Sequence, residues 1–283
     1  MQRQKRVLAI HDISCFGRCS LTVALPIISA AGIETTVLPT AVLSTHTGGF
    51  SDFTYRDLTQ DIMPVMNHWH SLGLEFDSVY TGFLGSFEQV DIVSEIFDML
   101  KKNKVLIVVD PVMADYGKLY SIFPPNFPEG MRKLCQKADV IVPNFTEAMF
   151  LLDKPYHEGP HTQIEIKNIL RALGLLGPKY IVLTGVSYDG IHLGSASFDV
   201  TTEEFSYTSE TRIEPMYHGT GDVFASVLTA ALLNGRTLAQ ANAIAVHFTV
   251  ASIARTKEAA IDNRFGVNFE AGLAGLNDLI ATY

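Results

Sequence analysis

Short apolar stretches rich in β-branched residues recur along the chain and alternate with longer segments of helical periodicity. Apolar runs of about four to eight residues between helix-length segments are typical of βαβ units around a buried parallel sheet. The pattern therefore predicts an α/β protein with a mostly parallel central sheet. The predicted strands are Val7–Ile10, Thr35–Leu43, Ser78–Phe83, Val105–Val109, Val140–Val142 and Tyr180–Leu183.

The segment Phe87–Lys102 shows the helical pattern most clearly, because its apolar side chains recur at intervals of three and four residues. We expect this helix to cross one face of the sheet. The C-terminal third of the chain is predicted to be mostly helical. The predicted helices there are Val223–Asn234, Leu238–Thr256 and Phe269–Thr282.

Two segments depart from the βαβ pattern. Gly190–Gly194 and Asp199–Tyr207 alternate in polarity around the turn signal Tyr188-Asp189-Gly190, which predicts an antiparallel extension of the sheet. The segment Thr35–Phe50 is predicted to carry extra strands off the main sheet, as a small β cover over a site. No linker, repeat or low-complexity segment divides the chain, so we expect a single domain over residues 1–283.

Composition and charge exclude several classes of protein. The 283 residues are 47% hydrophobic and carry a net charge of −9, which excludes a disordered chain and disfavours a nucleic-acid partner. The longest apolar runs are shorter than the ~20 residues of a membrane span, and the N-terminal segment lacks a signal-peptide pattern. We therefore expect a cytoplasmic protein with no membrane partner.

Three cysteines, Cys15, Cys19 and Cys135, form an odd and sparse set that suits a reducing compartment. Cys15 and Cys19 invite interpretation as a metal site, but no second Cys/His pair stands at zinc-like spacing. The sequence favours these cysteines as small apolar filler.

The strongest local signal is His218-Gly219-Thr220-Gly221-Asp222, followed at once by a helical pattern. A Gly-rich turn that opens a helix directs unpaired N–H groups and the positive end of the helix dipole at one point, which suits a phosphate or a developing anion. Asp222 in the first turn is either a helix-start carboxylate or a catalytic base.

Acidic and amide side chains follow two predicted strands. Asp110 and Asp115 come after Val105–Val109, where two acids facing a nucleotide would require a hard cation such as Mg2+. Alternatively, Asp110 caps a turn. Asn144 and Glu147 follow the next strand, and their spacing also fits a helix capping box, the favoured interpretation of these two residues alone.

Two further turns carry polar groups. One begins at His11-Asp12 after the first strand, and the other is Ser44-Thr45-His46-Thr47-Gly48. A histidine in a loop is commonly a surface residue, but here threonines suited to ligand hydrogen bonds surround it. Most of these groups fall at strand ends, the edge where open α/β sheets place ligands.

Taken together, these motifs resemble the vitamin B6 (pyridoxal/pyridoxine/pyridoxamine) kinases of the ribokinase-like superfamily. The resemblance implies a three-layer α/β/α fold and covers nearly the whole chain. Gly219-Thr220-Gly221-Asp222 is specific to the superfamily, and the His-Thr-Gly and Thr-Gly-Phe-Leu-Gly motifs point to the vitamin B6 branch. The matching segments are Phe16-Gly17, Leu25-Pro26, His46-Thr47-Gly48, Thr81–Gly85, Asp110–Met113, Pro143–Glu147 and Gly219–Asp222.

The resemblance implies an ATP-dependent kinase that phosphorylates the 5′-hydroxymethyl group of a B6 vitamer. Asp222 would be the catalytic base and a substrate contact, and the anion hole would be formed by Gly219, Thr220 and Gly221. Mg2+ would be held or oriented by Asp110, Asp115 and Glu147. The residues implied in ATP binding are Asp110, Asn144, Glu147, Thr184, Gly219 and Gly221.

The resemblance also implies the substrate contacts. Thr47 would bond the polar edge of the pyridine ring, Phe83 would pack on its face and His46 would flank it. Related kinases bind a monovalent cation, usually K+, near the phosphates and form homodimers, and we expect both here. Three positions depart from the family pattern: Asp12 replaces a substrate-contacting serine, Thr184 a phosphate-contacting lysine, and Phe83 a common tyrosine.

Three alternatives stay open. Hydroxymethylpyrimidine kinases share the Asp-Pro-Val-Met and Gly-Thr-Gly-Asp-like elements, although some bifunctional members have cysteine where this chain has Asp222. Sugar kinases of the superfamily fit less well, because they bind several hydroxyls with a more polar first loop. A non-catalytic nucleotide or pyridoxal sensor is the alternative of a different class, and the intact motif argues against it because a sensor needs no base.

Overall fold

A nine-stranded sheet forms the centre of the protein in the computed structural model, which describes residues 3–101 and 104–283. Its strand order is β11-β10-β9-β8-β5-β4-β1-β2-β3, and β6 and β7 form a separate two-stranded hairpin. The strands are β1 Arg6–Phe16, β2 Glu34–Thr45, β3 Tyr55–Asp57, β4 Ser78–Thr81, β5 Leu106–Val109, β6 Ala114–Asp115, β7 Lys118–Leu119, β8 Val140–Ile141, β9 Tyr180–Val186, β10 His192–Asp199 and β11 Glu204–Thr211.

The central strands from β9 to β2 pair in parallel, as the sequence predicts, while β10, β11 and β3 pair antiparallel at the two edges. Alternate residues along each strand face opposite sides of a sheet. In β5, Ile107 and Val109 join one apolar cluster and Val108 joins the other. The central strands read as continuous apolar runs because both of their faces are buried.

Helices cover both faces of the sheet and complete three layers. One layer contains α2 to α6, and the other contains α1, α7, α8 and α9. No helix within the two described ranges is long and apolar enough to cross a membrane. The helices are α1 Leu21–Ala30, α2 Thr59–Ser71, α3 Phe87–Leu100, α4 Phe127–Cys135, α5 Phe145–Leu151, α6 Gln163–Gly174, α7 Thr220–Leu233, α8 Leu238–Glu258 and α9 Leu276–Thr282.

The antiparallel extension is confirmed, with different boundaries. The predicted strand Asp199–Tyr207 spans a turn, because the Asp199 carboxylate accepts hydrogen bonds from Thr201 N at 2.8 Å and from Thr201 Oγ1 at 2.6 Å. A short polar side chain that bonds its own backbone two residues on favours a turn over a strand. This turn separates β10 from β11.

The prediction of strands off the main sheet in Thr35–Phe50 is wrong, because β2 pairs with β1 inside the nine-stranded sheet. β1 pairs with β4 only as far as Ile10, and its remaining residues pair with β2 alone. β3 adds to the far side of β2. The cover is thus an extension of the main sheet beyond the end of β4.

Two predicted helices change their ends. The segment predicted as Phe269–Thr282 begins with a 3-10 turn at Glu270–Gly275, and only Leu276–Thr282 is α-helical. The two glycines in that turn lower its helix propensity. The predicted helix Phe87–Lys102 ends at Leu100, and Lys102 lies outside the described residues.

Candidate active site

The structure brings most of the predicted site residues to one edge of the sheet. Parallel strands place their carboxyl ends at this edge, which is where open α/β sheets bind ligands. Asp12 lies in β1, Asp110 directly follows β5, and Asn144 lies three residues beyond the end of β8. Asp222 reaches the same edge from the first turn of α7, where its charge acts on Asp110.

The N-terminus of α7 is built to receive an anion. Gly219 precedes the helix with φ of 74°, a conformation that favours glycine. A Cβ at Gly219 would overlap the carbonyl oxygen of Arg18, so the helix start packs directly on the turn after β1. Within the described residues no side chain caps α7, so its first N–H groups stay available to a ligand.

Asp222 lies in the first turn of α7, and its carboxylate binds a proton more tightly than an ordinary aspartate does. Part of its surface is exposed, but the surrounding protein raises the pKa of Asp222 to about 7 by burial, and the nearby charge of Asp12 adds to this effect. A hydrogen bond from the Ser20 backbone opposes the shift. A carboxylate with a pKa near neutrality is suited to accept a proton during a reaction.

Three further carboxylates, Asp110, Asp115 and Glu147, collect beside Asp222. Burial raises the pKa of all three, and the negative charges of Asp222 and Asp115 raise the pKa of Asp110 further. Repulsion between these groups makes the arrangement favourable for a cation. Mg2+ keeps several water ligands when it binds to protein carboxylates, so these three groups need not all contact the ion.

Glu147 and Asn144 form the capping box of α5. Asn144 Oδ1 accepts from Glu147 N at 2.8 Å, and Glu147 Oε2 accepts from Asn144 N at 2.8 Å. Glu147 Oε1 accepts a second backbone bond from Met113 N at 3.1 Å. Glu147 therefore caps α5 through Oε2 and holds the loop after β5 through Oε1, and the capping interpretation of this pair is confirmed.

Asp110 and Asp115 differ in their partners. Asp115 Oδ2 accepts a hydrogen bond from the Tyr120 hydroxyl at 2.7 Å, and Asp115 Oδ1 accepts from Asn144 Nδ2 at 3.1 Å. No hydrogen-bond donor in the described part of the chain reaches the Asp110 carboxylate. Asp110 is therefore the carboxylate best placed to bind a cation directly.

Asp12 belongs to a small polar frame at the end of β1. Its two oxygens accept from Ser14 Oγ at 3.0 Å and from Ser20 Oγ at 2.6 Å. Burial raises the pKa of Asp12 in spite of these bonds. Ser20, which sequence reasoning missed, also bonds the Asp222 carboxylate through its backbone, and so links the first strand to the helix of the Gly-rich motif.

His46 serves to hold the cover in place. Its Nδ1 accepts from Gly48 N at 3.1 Å, which leaves a proton on Nε2 to donate to the Arg264 carbonyl at 2.6 Å. Burial lowers the pKa of His46, in keeping with a neutral ring. Both ring nitrogens are engaged within the protein, so His46 flanks the site without a free nitrogen for a ligand.

Thr47 and Phe83 line a cavity of about 320 Å3 between the cover and the segment after β4. Tyr55 also lines this cavity; burial raises its pKa to about 12, and the charges of Asp57 and, to a smaller extent, Asp12 add to this effect. Because the Phe83 ring is only partly buried, part of its surface is open to a planar ligand. The cavity therefore lies beside the polar frame of Asp12.

Thr184 occupies the end of β9 beside Asn144. Its backbone N donates to the Pro143 carbonyl at 3.0 Å, and it forms an isolated parallel bridge with Asn144. Gly185 follows with a positive φ, and a Cβ there would meet nothing within 4 Å. This end of the site presents backbone and a short hydroxyl.

Besides Ser20, two residues near the site were missed by sequence reasoning. His218 is exposed, and its ring lies 5.2 Å from that of His46. The Gly-rich motif itself contained His218 as a signal. Tyr120 bonds Asp115 from a segment with no distinguishing pattern, so no sequence signal could have identified it.

Comparison with known proteins identifies the family of this chain. A family model described as phosphomethylpyrimidine kinase matches residues 25–267. A Bacteroides thetaiotaomicron protein assigned as a phosphomethylpyrimidine kinase is 38% identical, with a TM-score of 0.94 and coverage of 98% of this chain and 95% of that chain. A second crystal form of that protein was determined with pyridoxal.

Two other relatives carry vitamin B6 kinase names. Pyridoxal kinase from Lactobacillus plantarum is 33% identical, with a TM-score of 0.89 and coverage of 99% of both chains. A Staphylococcus aureus protein assigned as a pyridoxine kinase is 28% identical over 193 residues, which are 65% of this chain and 64% of that protein.

Two glycine substitutions separate packing from anion binding at the start of α7. Gly219→Ala should lower the melting temperature, because its methyl group would overlap the Arg18 carbonyl. Gly221→Ala should not lower the melting temperature, because a Cβ there would meet nothing within 4 Å and alanine has a higher helix propensity than glycine. Its methyl group would instead enter the space above the helix N-terminus, and we expect on the order of tenfold weaker binding of inorganic pyrophosphate.

Circular dichroism during heating measures the melting temperature of each variant. Calorimetric titration with pyrophosphate measures anion binding. If Gly221→Ala binds pyrophosphate as tightly as the unsubstituted protein does, the helix N-terminus is not the anion site.

Proposed function

Because the chain belongs to the phosphomethylpyrimidine kinase family, we propose that it transfers the γ-phosphoryl group of ATP to the 5′-hydroxymethyl group of pyridoxal, pyridoxine or pyridoxamine. The observation that carries this proposal is the Asp222 carboxylate, with a pKa of about 7, in the first turn of the uncapped helix α7. The pyridoxal-containing form of the Bacteroides relative supports a B6 vitamer as the acceptor.

Asp222 acts as the general base. It accepts the proton of the 5′-hydroxyl while the oxygen forms a bond to the γ-phosphorus, and the bond from that phosphorus to the β,γ-bridging oxygen breaks to release ADP. Asp12 and the Ser20 backbone adjust the proton affinity of Asp222 in opposite directions. With the resulting pKa, a substantial fraction of Asp222 is ionised at neutral pH and can accept a proton.

The N–H groups at Gly219, Thr220 and Gly221 face the transferring phosphoryl group. Its equatorial oxygens carry the charge in the transition state, and preorganised N–H donors stabilise that charge without reorganisation. Thr184 and Asn144 line the phosphate side from β9 and the start of α5. With no lysine at position 184, ATP binding relies more on backbone donors and on the metal.

The carboxylate cluster fits hydrated Mg2+. Asp110 has no donor from the described protein on its carboxylate, while Asp115 and Glu147 are braced by Tyr120, Asn144 and Met113. Asp110 would hold the ion, and Asp115 and Glu147 would orient its water ligands. Bound Mg2+ neutralises phosphate charge. A K+ ion near the phosphates stays a prediction, as do a homodimer, a cytoplasmic location and a single domain over 1–283.

The cavity beside Asp12 suits a substituted pyridine. The partly buried Phe83 ring offers a face for stacking, and Thr47 offers a hydroxyl for the polar edge of the ring. Phe83 itself packs against Phe123, with ring centroids 5.7 Å apart. Asp12 has lone pairs left after its bonds to Ser14 and Ser20, and these can accept a hydrogen bond from the phenol or the protonated ring nitrogen.

Hydroxymethylpyrimidine, or its phosphate, is the second candidate substrate. The name of the matching family model and the assignment of the Bacteroides relative favour it. Both acceptors are planar nitrogen heterocycles with a hydroxymethyl group, so the same base and anion hole serve either. A non-catalytic sensor of nucleotide or pyridoxal is the third candidate, and the perturbed proton affinity of Asp222 argues against it.

ADP release in a coupled assay distinguishes these functions. With ATP and Mg2+, we expect turnover of pyridoxal, pyridoxine or pyridoxamine, and much lower kcat/KM for hydroxymethylpyrimidine. Turnover of the pyrimidine alone would assign the chain to the thiamine-related activity. Binding of a vitamer with no turnover of any of the four compounds would support the sensor.

The pH profile tests the base. Protonated Asp222 cannot accept the substrate proton, so kcat/KM should fall as the pH decreases below about 7. Asp222→Asn should lower kcat by a factor on the order of 10² or more while ADP affinity stays close to that of the unsubstituted protein. An Asp222→Asn enzyme with undiminished kcat would remove Asp222 from the mechanism.

Titration with Mg2+ tests the carboxylate cluster. Asp110→Asn removes a charge that faces the cation, so half-maximal activity should require a higher Mg2+ concentration, on the order of tenfold. The control is Asp91→Asn, which removes the same charge from an exposed position in α3. Identical Mg2+ titrations for the two variants would contradict the role of Asp110.

A further inference from the structure

A group of three potential metal ligands lies apart from the active site, where the loop after α5 meets the start of α6. The group consists of His157, His161 and Glu165, and one ligand atom from each lies within 4.8 Å of the others. His157 Nε2 is 2.6 Å from Glu165 Oε1, and His161 Nδ1 is 3.8 Å from Glu165 Oε2. Two imidazoles and one carboxylate are a ligand set typical of zinc.

The His161 ring supplies the strongest indication of a ligand. Its side chain is 4% exposed, and Nδ1 is a buried atom with no hydrogen-bond partner among the described residues. Buried polar atoms are rarely left without a partner, because desolvation without a compensating bond is costly.

The three ligands are held by the surrounding structure. Phe145 stacks on the His161 ring with centroids 3.9 Å apart and contacts His157 edge-on at 5.4 Å. Glu165 lies in the first turn of α6, where its backbone N donates to the N-cap Thr162 Oγ1 at 3.2 Å. His161 and Glu165 are four residues apart in sequence, and this spacing brings their side chains together.

We propose that His157, His161 and Glu165 bind a zinc-like divalent transition metal ion, with water completing the coordination. Tetrahedral ligands with bonds of about 2.0–2.1 Å lie about 3.4 Å apart. The two histidines approach different oxygens of Glu165, at 2.6 Å from Oε1 and at 3.8 Å from Oε2, and one ligand atom from each residue lies within 4.8 Å of the others. Because His157 and Glu165 are partly or largely exposed, small side-chain rotations suffice to close the site. Nitrogen ligands disfavour Mg2+, which prefers oxygen.

A metal at this position would brace a loop that packs on the active site. The Tyr156 ring, one residue before His157, covers Gly117 in the turn between β6 and β7, where an added Cβ would lie 2.5 Å from Tyr156 Cδ1. The same hairpin carries Asp115 of the carboxylate cluster. The ion would therefore act on the stability of this loop and not on the chemistry of phosphoryl transfer.

Zn2+ and Co2+ titrations of the chelator-treated full chain, without nucleotide, test the site. We expect one tightly bound equivalent of Zn2+ by calorimetry, a rise in melting temperature, and the intense visible absorption of Co2+ in a low-coordinate nitrogen-containing site. His161→Gln and Glu165→Gln should each weaken Zn2+ binding at least tenfold and remove the Co2+ band. Kinase activity with saturating Mg2+ should be retained in both variants.

His192→Gln is the matched control. His192 Nδ1 lies 2.6 Å from Asp189 Oδ2 in an exposed histidine–carboxylate pair, and no third ligand joins this pair among the described residues. This variant should bind Zn2+ and Co2+ as the unsubstituted chain does. Asp110→Asn should also keep the Co2+ band, because its carboxylate belongs to the active-site cluster.

Three results would overturn the proposal. The first is no Zn2+ binding by the unsubstituted chain. The second is unchanged Zn2+ binding by Glu165→Gln. Because Glu165 is partly exposed, this variant remains a valid test even if His161→Gln destabilises the fold. The third is loss of the Co2+ band in Asp110→Asn or His192→Gln, which would place the ion elsewhere.

Discussion

The active site depends on the close approach of three backbone segments at Arg18. A Cβ at Gly219 would overlap the Arg18 carbonyl oxygen, a Cβ at Gly266 would lie 2.6 Å from Arg18 Cβ, and Arg18 N donates to the Phe265 carbonyl at 3.1 Å. Only glycine permits such contacts in these conformations. They press the start of α7 onto the turn after β1, and this contact brings Asp222 beside Asp12.

Negative charge dominates the site that this packing creates. Burial raises the pKa of Asp12, Asp110 and Asp222, and the charges of neighbouring carboxylates raise the pKa of Asp110 and Asp222 further. Keeping these groups together destabilises the protein in the absence of a cation, since each ionised form is costly beside the others. The same arrangement favours a metal–phosphate complex, because the bound metal offsets the repulsion. A destabilising cluster of this kind is typical of a functional site.

The elements around the site divide the remaining tasks. The extension of β1 and β2 beyond β4 carries the cover, and His46 fastens that cover to the Arg264 carbonyl. On the opposite side, Asn144 and Glu147 cap α5 and also bond Ala114 and Met113 in the segment after β5. The capping role of Glu147 does not exclude the proposed one, since the same side chain contributes charge to the cluster.

The sequence by itself determined the parallel sheet, the strand ends that carry polar residues, and the Gly-rich start of α7. These features follow from local periodicity and from glycine or carboxylate chemistry at adjacent positions, so nearby residues suffice to reveal them. Only the tertiary structure decided that the segment from Thr35 joins the main sheet and that Tyr120 bonds Asp115. It also decided that Ser20 lies between Asp12 and Asp222, and that His157, His161 and Glu165 converge around Phe145. Those outcomes depend on contacts between segments that are distant in sequence, and on which polar groups are buried without a partner. The local spacing of residues reveals neither of these.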